Sequence, residues 1–251
     1  MSKRILIFIY GVASYAVFFA TFLYSIGFIG NFIVPKRIDG LPELPVWQAL
    51  SIDLVLLALF AVQHSVMARP AFKRWWTRFI PASAERSTYV LASSFALIVL
   101  FALWQPLGGT LWNVTDDIAQ IVLYSLYAFG WLLILASSYL INHFDLFGLR
   151  QVWLQLIDRP YTELKFVMPS LYRVVRHPLY VGWLFVFWAT PTMTATHLFF
   201  AVGTTLYILI AVRFEERDLV AAHPEYAAYR RAVPMLVPRL SAPRAVQTSL
   251  Q

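Results

Sequence analysis

The chain has 251 residues, of which 60% are hydrophobic and only 13% are charged, and this balance excludes an ordinary soluble domain, which must cover its surface with polar groups. The formal net charge is +7, but the basic residues lie beside apolar segments, so we expect contact with a lipid bilayer and no nucleic-acid ligand. The chain contains no cysteine, which excludes disulfides and thiolate-bound metals, and we expect no metal site.

Long apolar segments, taken in chain order, predict the membrane-spanning helices. A helix needs about 20 apolar residues to cross about 30 Å of hydrocarbon. The candidate segments are residues 5–34, 47–67, 88–104, 118–141 and 179–212. The last segment is long enough for two spans, and Pro191 among threonines would let the chain turn, which predicts a helical hairpin. The predicted fold class is therefore an all-α integral membrane protein with five to six transmembrane helices, six if both arms of the C-terminal hairpin cross.

The distribution of basic residues predicts the orientation. Of the 20 Lys and Arg residues, only Lys36 and Arg37 fall on the side that the alternation of spans assigns to the outside. Because cytoplasmic loops are enriched in basic residues, both termini are expected in the cytoplasm. We expect a single membrane domain over residues 1–251, with a transmembrane scaffold at 1–142, a cytoplasm-facing cofactor and active-site region at 143–240, and a flexible tail at 241–251.

Two residues of the scaffold, an aspartate and a histidine, lie inside a predicted span. His64, near the cytoplasmic end of the second span, is either a member of the site or a structural hydrogen-bonding group. Asp53 lies inside the same span, where a carboxylate is costly enough to need a partner unless it reaches the interface.

The segment RHPLYVGW opens the last apolar block with Arg176, His177 and Pro178. Proline suits the first turn of a helix, and free N–H groups at a helix start beside an arginine and a histidine can hold an anionic group. Tyr180 can cover a ring, and Gly182 has no side chain to obstruct one. The alternative is a basic anchor at the membrane interface, which accounts for Arg176 and Tyr180 only.

A pair of carboxylates, Glu215 and Glu216, is expected at the end of the second arm of the hairpin. Because the hairpin folds back on itself, this end is the same one at which His177 begins the first arm. A ligand with both a cation and a carboxylate would then lie between the glutamates and Arg176. A charged helix end solvated by lipid head groups is the alternative.

Together these motifs resemble a known family. The pattern RHP-x-Y-x-G, the EE pair, and Y-x-x-Y followed by VP and a second proline all lie within residues 172–238. They are similar to the integral-membrane methyltransferases related to isoprenylcysteine carboxyl methyltransferase, which include phospholipid methyltransferase and NnrU-like branches. The stretches FLYSIGFIGNFIVPK, INHFDLFGLRQVW and FWATPTMTATHLFF extend the resemblance over nearly the whole chain, toward the branch that methylates methanethiol.

This resemblance implies a methyl donor, a pocket and an acceptor. The donor is S-adenosylmethionine, held in a pocket formed by the terminal hairpin and the cytoplasmic tail, and the acceptor is a small thiol, methanethiol, converted to dimethyl sulfide at a bacterial inner membrane. The alternatives are a larger lipophilic acceptor, namely an isoprenylcysteine carboxylate, a phospholipid amine or another thiol, or a non-enzymatic NnrU-like membrane factor. The residues implied in cofactor binding are His177, Pro178, Leu179, Tyr180, Gly182, Glu215, Glu216, Tyr226 and Tyr229.

The acceptor chemistry directs attention to the segment NHFDLFGLRQ. A thiol reacts as its thiolate, so a base or a cation must lie close to it. We expect His143, oriented by Asp145, to take the thiol proton, and Arg150 or Arg176 to stabilise the thiolate. The alternative is that Asn142, His143 and Asp145 form a hydrogen-bond network at the end of a helix.

Overall fold

The structure, a computed structural model, describes residues 1–162, 164 and 167–239, so the tail predicted at 241–251 lies outside the described residues. Helices dominate these residues, together with one two-stranded antiparallel ribbon. The helices are α1 (Ser2–Gly30), α2 (Val46–Ala68), α3 (Pro70–Trp76), α4 (Ala82–Leu103), α5 (Asp117–Ile141), α6 (His143–Leu146), α7 (Leu149–Leu156), α8 (Pro178–Trp188), α9 (Ala195–Ala222) and α10 (Tyr226–Ala232). The strands are β1 (Thr110–Asn113) and β2 (Thr192–Thr194), and a 3₁₀ turn covers Ser170–Arg173.

Five helices are long and apolar enough to cross a membrane: α1, α2, α4, α5 and α9. Their outer faces carry exposed apolar side chains, such as Leu54 of α2 and Leu132 of α5, which are 59% and 64% exposed. Such a surface is unfavourable in water and suits hydrocarbon. The protein is therefore an all-α integral membrane protein, as the sequence predicts.

The first arm of the predicted hairpin is not a full transmembrane helix. Helix α8 has 11 residues and rises only about 16 Å, half the thickness of the hydrocarbon. The TPTMT segment beyond it forms no tight turn, because its residues join β2, which pairs with β1 after the end of α4. The chain thus continues from the short helix α8 into extended backbone, so the first arm does not cross the membrane as a full helix. The described residues contain five spanning helices, the lower of the two predicted counts.

Helix α8 packs closely against α5 through two glycines. A Cβ atom placed on Gly182 would lie 2.8 Å from the carbonyl oxygen of Gly130, and a Cβ on Gly130 would lie 2.8 Å from that of Gly182. Because neither position tolerates a side chain, both glycines let the two backbones approach. Helix α5 fills the space beside Gly182, where the sequence predicted a cofactor ring.

The end of the bundle that holds the ribbon is closed by hydrogen bonds to buried side chains. Asp53, fully buried in α2, accepts from the backbone N–H of Gln105 at 2.9 Å, and Thr196 of α9 accepts from that of Leu107 at 2.8 Å. The expectation that Asp53 needs a partner is confirmed. These bonds hold the segment that follows α4 in place. The polar motifs lie at the opposite end of the bundle.

Candidate active site

The RHP and EE motifs meet in one buried ion cluster, which we call the junction and which consists of Arg176, His177, Glu216 and Tyr226. Glu216 Oε1 accepts from Arg176 Nε at 2.6 Å, from His177 Nε2 at 3.0 Å and from the Tyr226 hydroxyl at 3.4 Å. The side chains of Arg176, His177 and Glu216 are 10%, 6% and 9% exposed. One carboxylate oxygen therefore joins the start of α8, helix α9 and the tail.

The backbone of the tail completes the junction. The N–H of Arg176 donates to the carbonyl of Pro234 at 2.9 Å, and that of His177 donates to the carbonyl of Met235 at 3.2 Å. The Arg176 guanidinium also donates to the carbonyl of Arg230 at 2.9 Å. The N–H groups of these two residues are thus already bonded to the tail. The sequence predicted that N–H groups at this helix start would bind an anionic ligand.

Two tyrosines of α10 attach the tail to the rest of the site. Tyr226 and Tyr229 are both buried, and the Tyr229 hydroxyl donates to the carbonyl of Tyr172 at 2.5 Å. Burial raises the pKa of Tyr229 to about 12, and burial followed by the charge of Glu216 raises the pKa of Tyr226. Both phenols therefore remain protonated donors at neutral pH.

Glu215 lies in an environment unlike that of its neighbour. Successive helical residues point about 100° apart, so Glu215 and Glu216 leave α9 in different directions. The half-buried Glu215 accepts from the Tyr180 hydroxyl at 2.8 Å, and its charge acts on Tyr89, Tyr172 and Tyr207. Within residues 1–162 and 167–239, no Lys or Arg forms an ion pair with it. Glu215 is a carboxylate among tyrosines.

His64 extends this tyrosine group toward α2. Its Nε2 lies 2.8 Å from the Tyr89 hydroxyl, its Nδ1 lies 3.1 Å from Ser93 Oγ, and its ring stacks on Phe60 at 5.1 Å. Both ring nitrogens have partners, so His64 serves as a hydrogen-bonding group of the bundle. Tyr89, which bonds His64, also lies within the influence of the Glu215 charge, so it connects His64 to the tyrosines around Glu215.

Two further predicted residues of the RHP segment, Pro178 and Leu179, pack against the rest of the protein. Pro178 is buried at the first position of α8, and Leu179 packs at the edge of the hydrophobic core. The structure thus gathers most of the predicted cofactor residues at one end of α8 and α9, with Gly182 facing α5 instead. The gathered residues are His177, Tyr180, Glu215, Glu216, Tyr226 and Tyr229.

A second polar region follows α5, and we call residues 142–150 the His143 loop. His143 is 4% exposed, with Nδ1 2.9 Å from Ser138 Oγ and Nε2 2.8 Å from the Tyr15 hydroxyl. The Ser138 hydroxyl donates its proton to the carbonyl of Leu135 at 2.8 Å, so its oxygen accepts from Nδ1. Nδ1 then carries the ring proton, and Nε2 accepts from Tyr15. Burial lowers the pKa of His143, which favours this neutral imidazole.

The predicted orientation of His143 by Asp145 is wrong, because both ring nitrogens have other partners. Asp145 instead accepts from Arg150 Nη1 at 2.8 Å and from the Tyr161 hydroxyl at 3.3 Å. Its backbone N–H donates to Asn142 Oδ1 at 3.2 Å. The loop hydrogen-bond network that the sequence left as an alternative is therefore present, and Arg150 belongs to it.

The last turn of α5 connects the two polar regions. The carbonyl of Ser137 accepts from the Tyr172 hydroxyl at 3.4 Å, while the next residue, Ser138, bonds His143. Beside this turn lies a pocket of about 500 Å³, lined in part by Tyr139, His143 and Phe144. The tail tyrosines and the His143 loop thus border neighbouring parts of one end of the bundle.

Sequence reasoning missed several members of the site. Tyr15 stands in an aromatic run that is typical of a lipid-facing helix, and Ser138, Tyr89 and Tyr207 belong to no motif. The usable signal was the presence of a hydroxyl: a tyrosine or serine within an apolar helix needs a hydrogen-bond partner, which phenylalanine or alanine would not.

The fold and the site together define a class of protein: a multi-spanning membrane protein with a buried ion cluster at one end of the bundle, where a tail packs against it. Within the ranges 1–162 and 167–239, no three His, Asp or Glu side chains are placed to hold a metal ion. Charged groups in such a protein mark a functional site by default, because their burial is costly.

Comparison with known proteins identifies the family within this class. The chain is 56% identical to a methanethiol S-methyltransferase of Crocosphaera subtropica over 94% of this chain and 93% of that protein. It is 53% identical to a methanethiol S-methyltransferase of Mycobacterium tuberculosis over 94% and 97% of the two chains, and 31% identical to nurim of Rattus norvegicus over 72% and 71%. No family model and no solved structure matches the chain. The chain belongs to the methanethiol S-methyltransferase family, which confirms the resemblance seen in its motifs.

Proposed function

We propose that this protein methylates the sulfur of methanethiol to form dimethyl sulfide, with S-adenosylmethionine as the methyl donor. The observation that carries the proposal is the similarity, at 56% identity over 94% of the chain, to a protein with this acceptor in its name. The geometry supports the proposal, because buried and half-buried charged side chains at one end of the bundle can bind a charged donor.

The side chains around Glu215 fit such a donor. S-adenosylmethionine supplies an electrophilic methyl group on a positively charged sulfur, and it also carries an ammonium group. Glu215 is a half-buried carboxylate without an ion-pair partner among the described residues, and Tyr180 donates to it at 2.8 Å. Aromatic rings beside a carboxylate attract cations through their faces as well as through charge. In this proposal Glu215, Tyr180 and Tyr172 bind the cationic part of the donor.

Glu216 has a different role in the proposal. Its Oε1 already accepts three hydrogen bonds, and its side chain is 9% exposed, so it offers little to a ligand. It positions the site by holding the tail against the start of α8, with His177 and Arg176. Tyr226 and Tyr229 then exclude water from the donor, which strengthens every charge interaction beneath them.

On the acceptor side, His143 is the proposed base. Its Nε2 lone pair accepts a hydrogen bond from the Tyr15 hydroxyl, so the thiol proton reaches this nitrogen either after the thiol takes the place of Tyr15 or through the Tyr15 hydroxyl. The neutral state of His143, favoured by burial through a lowered pKa, is the state that can accept a proton. Arg150 bonds Asp145 and Thr162, and Arg176 bonds Glu216, so thiolate stabilisation by either arginine remains a prediction.

The membrane and the orientation are parts of the same proposal. Arg and Lys residues cluster at the end of the bundle where the site lies, which favours a cytoplasmic site with both termini in the cytoplasm. The methanethiol S-methyltransferases of Crocosphaera and Mycobacterium come from bacteria, and the bacterial inner membrane is the membrane in contact with that compartment.

The test is headspace gas chromatography with mass detection on membranes that contain the full chain. Methanethiol is supplied with S-adenosylmethionine deuterated at its methyl group. We expect dimethyl sulfide with one deuterated methyl group, and none from membranes that lack the protein or the donor. Unlabelled product would remove S-adenosylmethionine as the donor, and product from a prenylated or longer thiol alone would remove methanethiol as the acceptor.

A further inference from the structure

A second cavity lies away from the proposed active site, between the start of α1, the segment that joins α3 to α4, and α7. Its volume is about 510 Å³, within the range of small-molecule sites. Its lining includes Lys3 and Arg4 of α1, Arg78 and Ser83 around the start of α4, and Gln155 of α7. Neither the junction nor the His143 loop contributes to it.

The charge of this cavity is strongly positive. Lys3 and Arg78 are exposed and form no ion pair with any residue in the ranges that the structure describes, whereas Arg4 pairs with Asp158 at 2.6 Å. Among the described residues, Asp158 is the acidic group that pairs with a lining cation, so three basic side chains face one carboxylate and the cavity keeps an excess of positive charge. Three basic side chains from two separate elements converge on one hollow.

Uncharged donors face the same cavity. The Ser83 hydroxyl oxygen is buried and has no hydrogen-bond partner within the part of the chain that the structure describes, and Ser83 itself lines the cavity. Helix α4, with 22 residues, begins at Ala82 without a side-chain cap, and its first two residues, Ala82 and Ser83, line the cavity. A buried hydroxyl without a partner is costly, and an anion at this position would satisfy both the hydroxyl and the helix start.

The surroundings of the cavity are apolar. Phe79, which lines it, is 67% exposed, and nearby Leu6 of α1 and Trp75 of α3 are 66% and 48% exposed. Exposed aromatic and aliphatic side chains beside lysine and arginine are typical of the boundary between hydrocarbon and head groups. A ligand that fits both parts has an anionic head and apolar chains.

We propose that this cavity binds the phosphate head group of an anionic phospholipid, with the acyl chains along α1 and Phe79. Lys3, Arg78, Ser83 and the start of α4 supply donors to the phosphate. The site is separate from catalysis, so the proposal does not depend on the identity of the methyl acceptor.

Native mass spectrometry of the full chain in detergent tests this proposal, with equal amounts of phosphatidylglycerol and phosphatidylcholine. We expect selective retention of phosphatidylglycerol. Arg78→Gln should weaken it about fivefold, which is the usual effect of one basic residue near an anionic surface. The matched control is Arg74→Gln, since Arg74 is an exposed arginine of the neighbouring helix that does not line the cavity. The control should retain the lipid as the wild type does.

Three outcomes would overturn the assignment. Equal retention of the two lipids shows that the head-group charge is not recognised. Equal losses in the Arg74 and Arg78 variants show a diffuse surface charge instead of a site. Displacement of phosphatidylglycerol by inorganic phosphate, added in a third arm, shows a site for a free anion. A thermal melt of each variant in the same detergent separates lost binding from lost folding.

Discussion

The junction and the His143 loop differ in how far apart in the chain their interacting residues lie. At the junction, residues about 40 positions apart converge, as Arg176 and His177 both bond one oxygen of Glu216. In the His143 loop, His143 and Asp145 are close in sequence yet bond different partners. His143 and Asp145 therefore do not pair although they are two residues apart, whereas helix ends that meet in the bundle bring residues from distant parts of the chain into contact.

The same contrast applies to the roles we propose. Oε1 of Glu216 accepts three hydrogen bonds from buried side chains and joins the parts of the site, while its neighbour Glu215 accepts, among the described residues, a hydrogen bond from Tyr180 and lies near other tyrosines. The variants below separate residues that hold the site from residues that act on ligands.

The largest effect is expected from Glu216→Ala. This change leaves Arg176 and His177 buried without their carboxylate, and the loss of one partner of a buried pair costs about 3–5 kcal/mol. The melting temperature in detergent should fall by many degrees, and the tail should become sensitive to protease. Glu225→Ala is the control, because Glu225 is 47% exposed and its contact with His223 is long, at 3.9 Å. Similar melting temperatures for the two variants would contradict the role of the junction.

His143→Ala should reduce the methylation rate about a hundredfold, the usual contribution of a general base, while leaving the affinity for S-adenosylmethionine intact. The sign of the pH dependence follows from burial. Because the pKa of His143 is lowered, the wild type keeps its neutral base as the pH falls below the usual histidine value and loses activity only on passing the lowered pKa. The variant should regain rate as the pH rises, because the thiol then ionises unaided. A loss of donor binding in this variant, or a rate that ignores pH, would show that His143 is not the base.

Glu215→Gln should weaken the binding of S-adenosylmethionine about tenfold to a hundredfold, since it removes the charge that faces the donor and keeps the shape of the side chain. The melting temperature should stay near that of the wild type, because Glu215 belongs to no ion pair among the described residues. Calorimetric titration of the purified protein measures the affinity, with Glu216→Gln as the adjacent comparison. If Glu216→Gln loses donor affinity at an unchanged melting temperature and Glu215→Gln does not, the two roles are exchanged.

The sequence predicted those parts of the fold that depend on local apolarity. Helices α1, α2, α4 and α5 lie close to the predicted spans, because the length of an apolar run is itself the requirement for crossing a membrane. Helix α8 was overestimated because the same apolar run continues past Trp188, where the chain leaves the helix for the ribbon. Pairing with β1 is a long-range event that the local pattern does not contain.

The candidate site was predictable to the level of its motifs. RHP and EE indicated which helix ends meet, but the direction of each side chain depends on the rotation of α9, which continues to Ala222 beyond the point where the sequence analysis ended it. The division into a scaffold at 1–142 and a site region after it was also too simple as a description of contacts. Tyr15 and Tyr89 of the scaffold reach His143 and the surroundings of Glu215.

The smallest effect is expected from Asp145→Asn, and it tests the comparison most directly. If Asp145 oriented His143, the substitution would lower the rate strongly and move its pH dependence. In the structure Asp145 bonds Arg150 in a partly exposed pair, which is worth about 1 kcal/mol or less. We therefore expect a melting temperature within a few degrees of the wild type and an unchanged pH profile for methylation. The informative partner is Tyr15→Phe, which removes the donor to His143 Nε2 and should shift that profile. A shifted profile in Asp145→Asn with none in Tyr15→Phe would restore the pairing that the sequence suggested, because only an aspartate acting on the imidazole produces that combination.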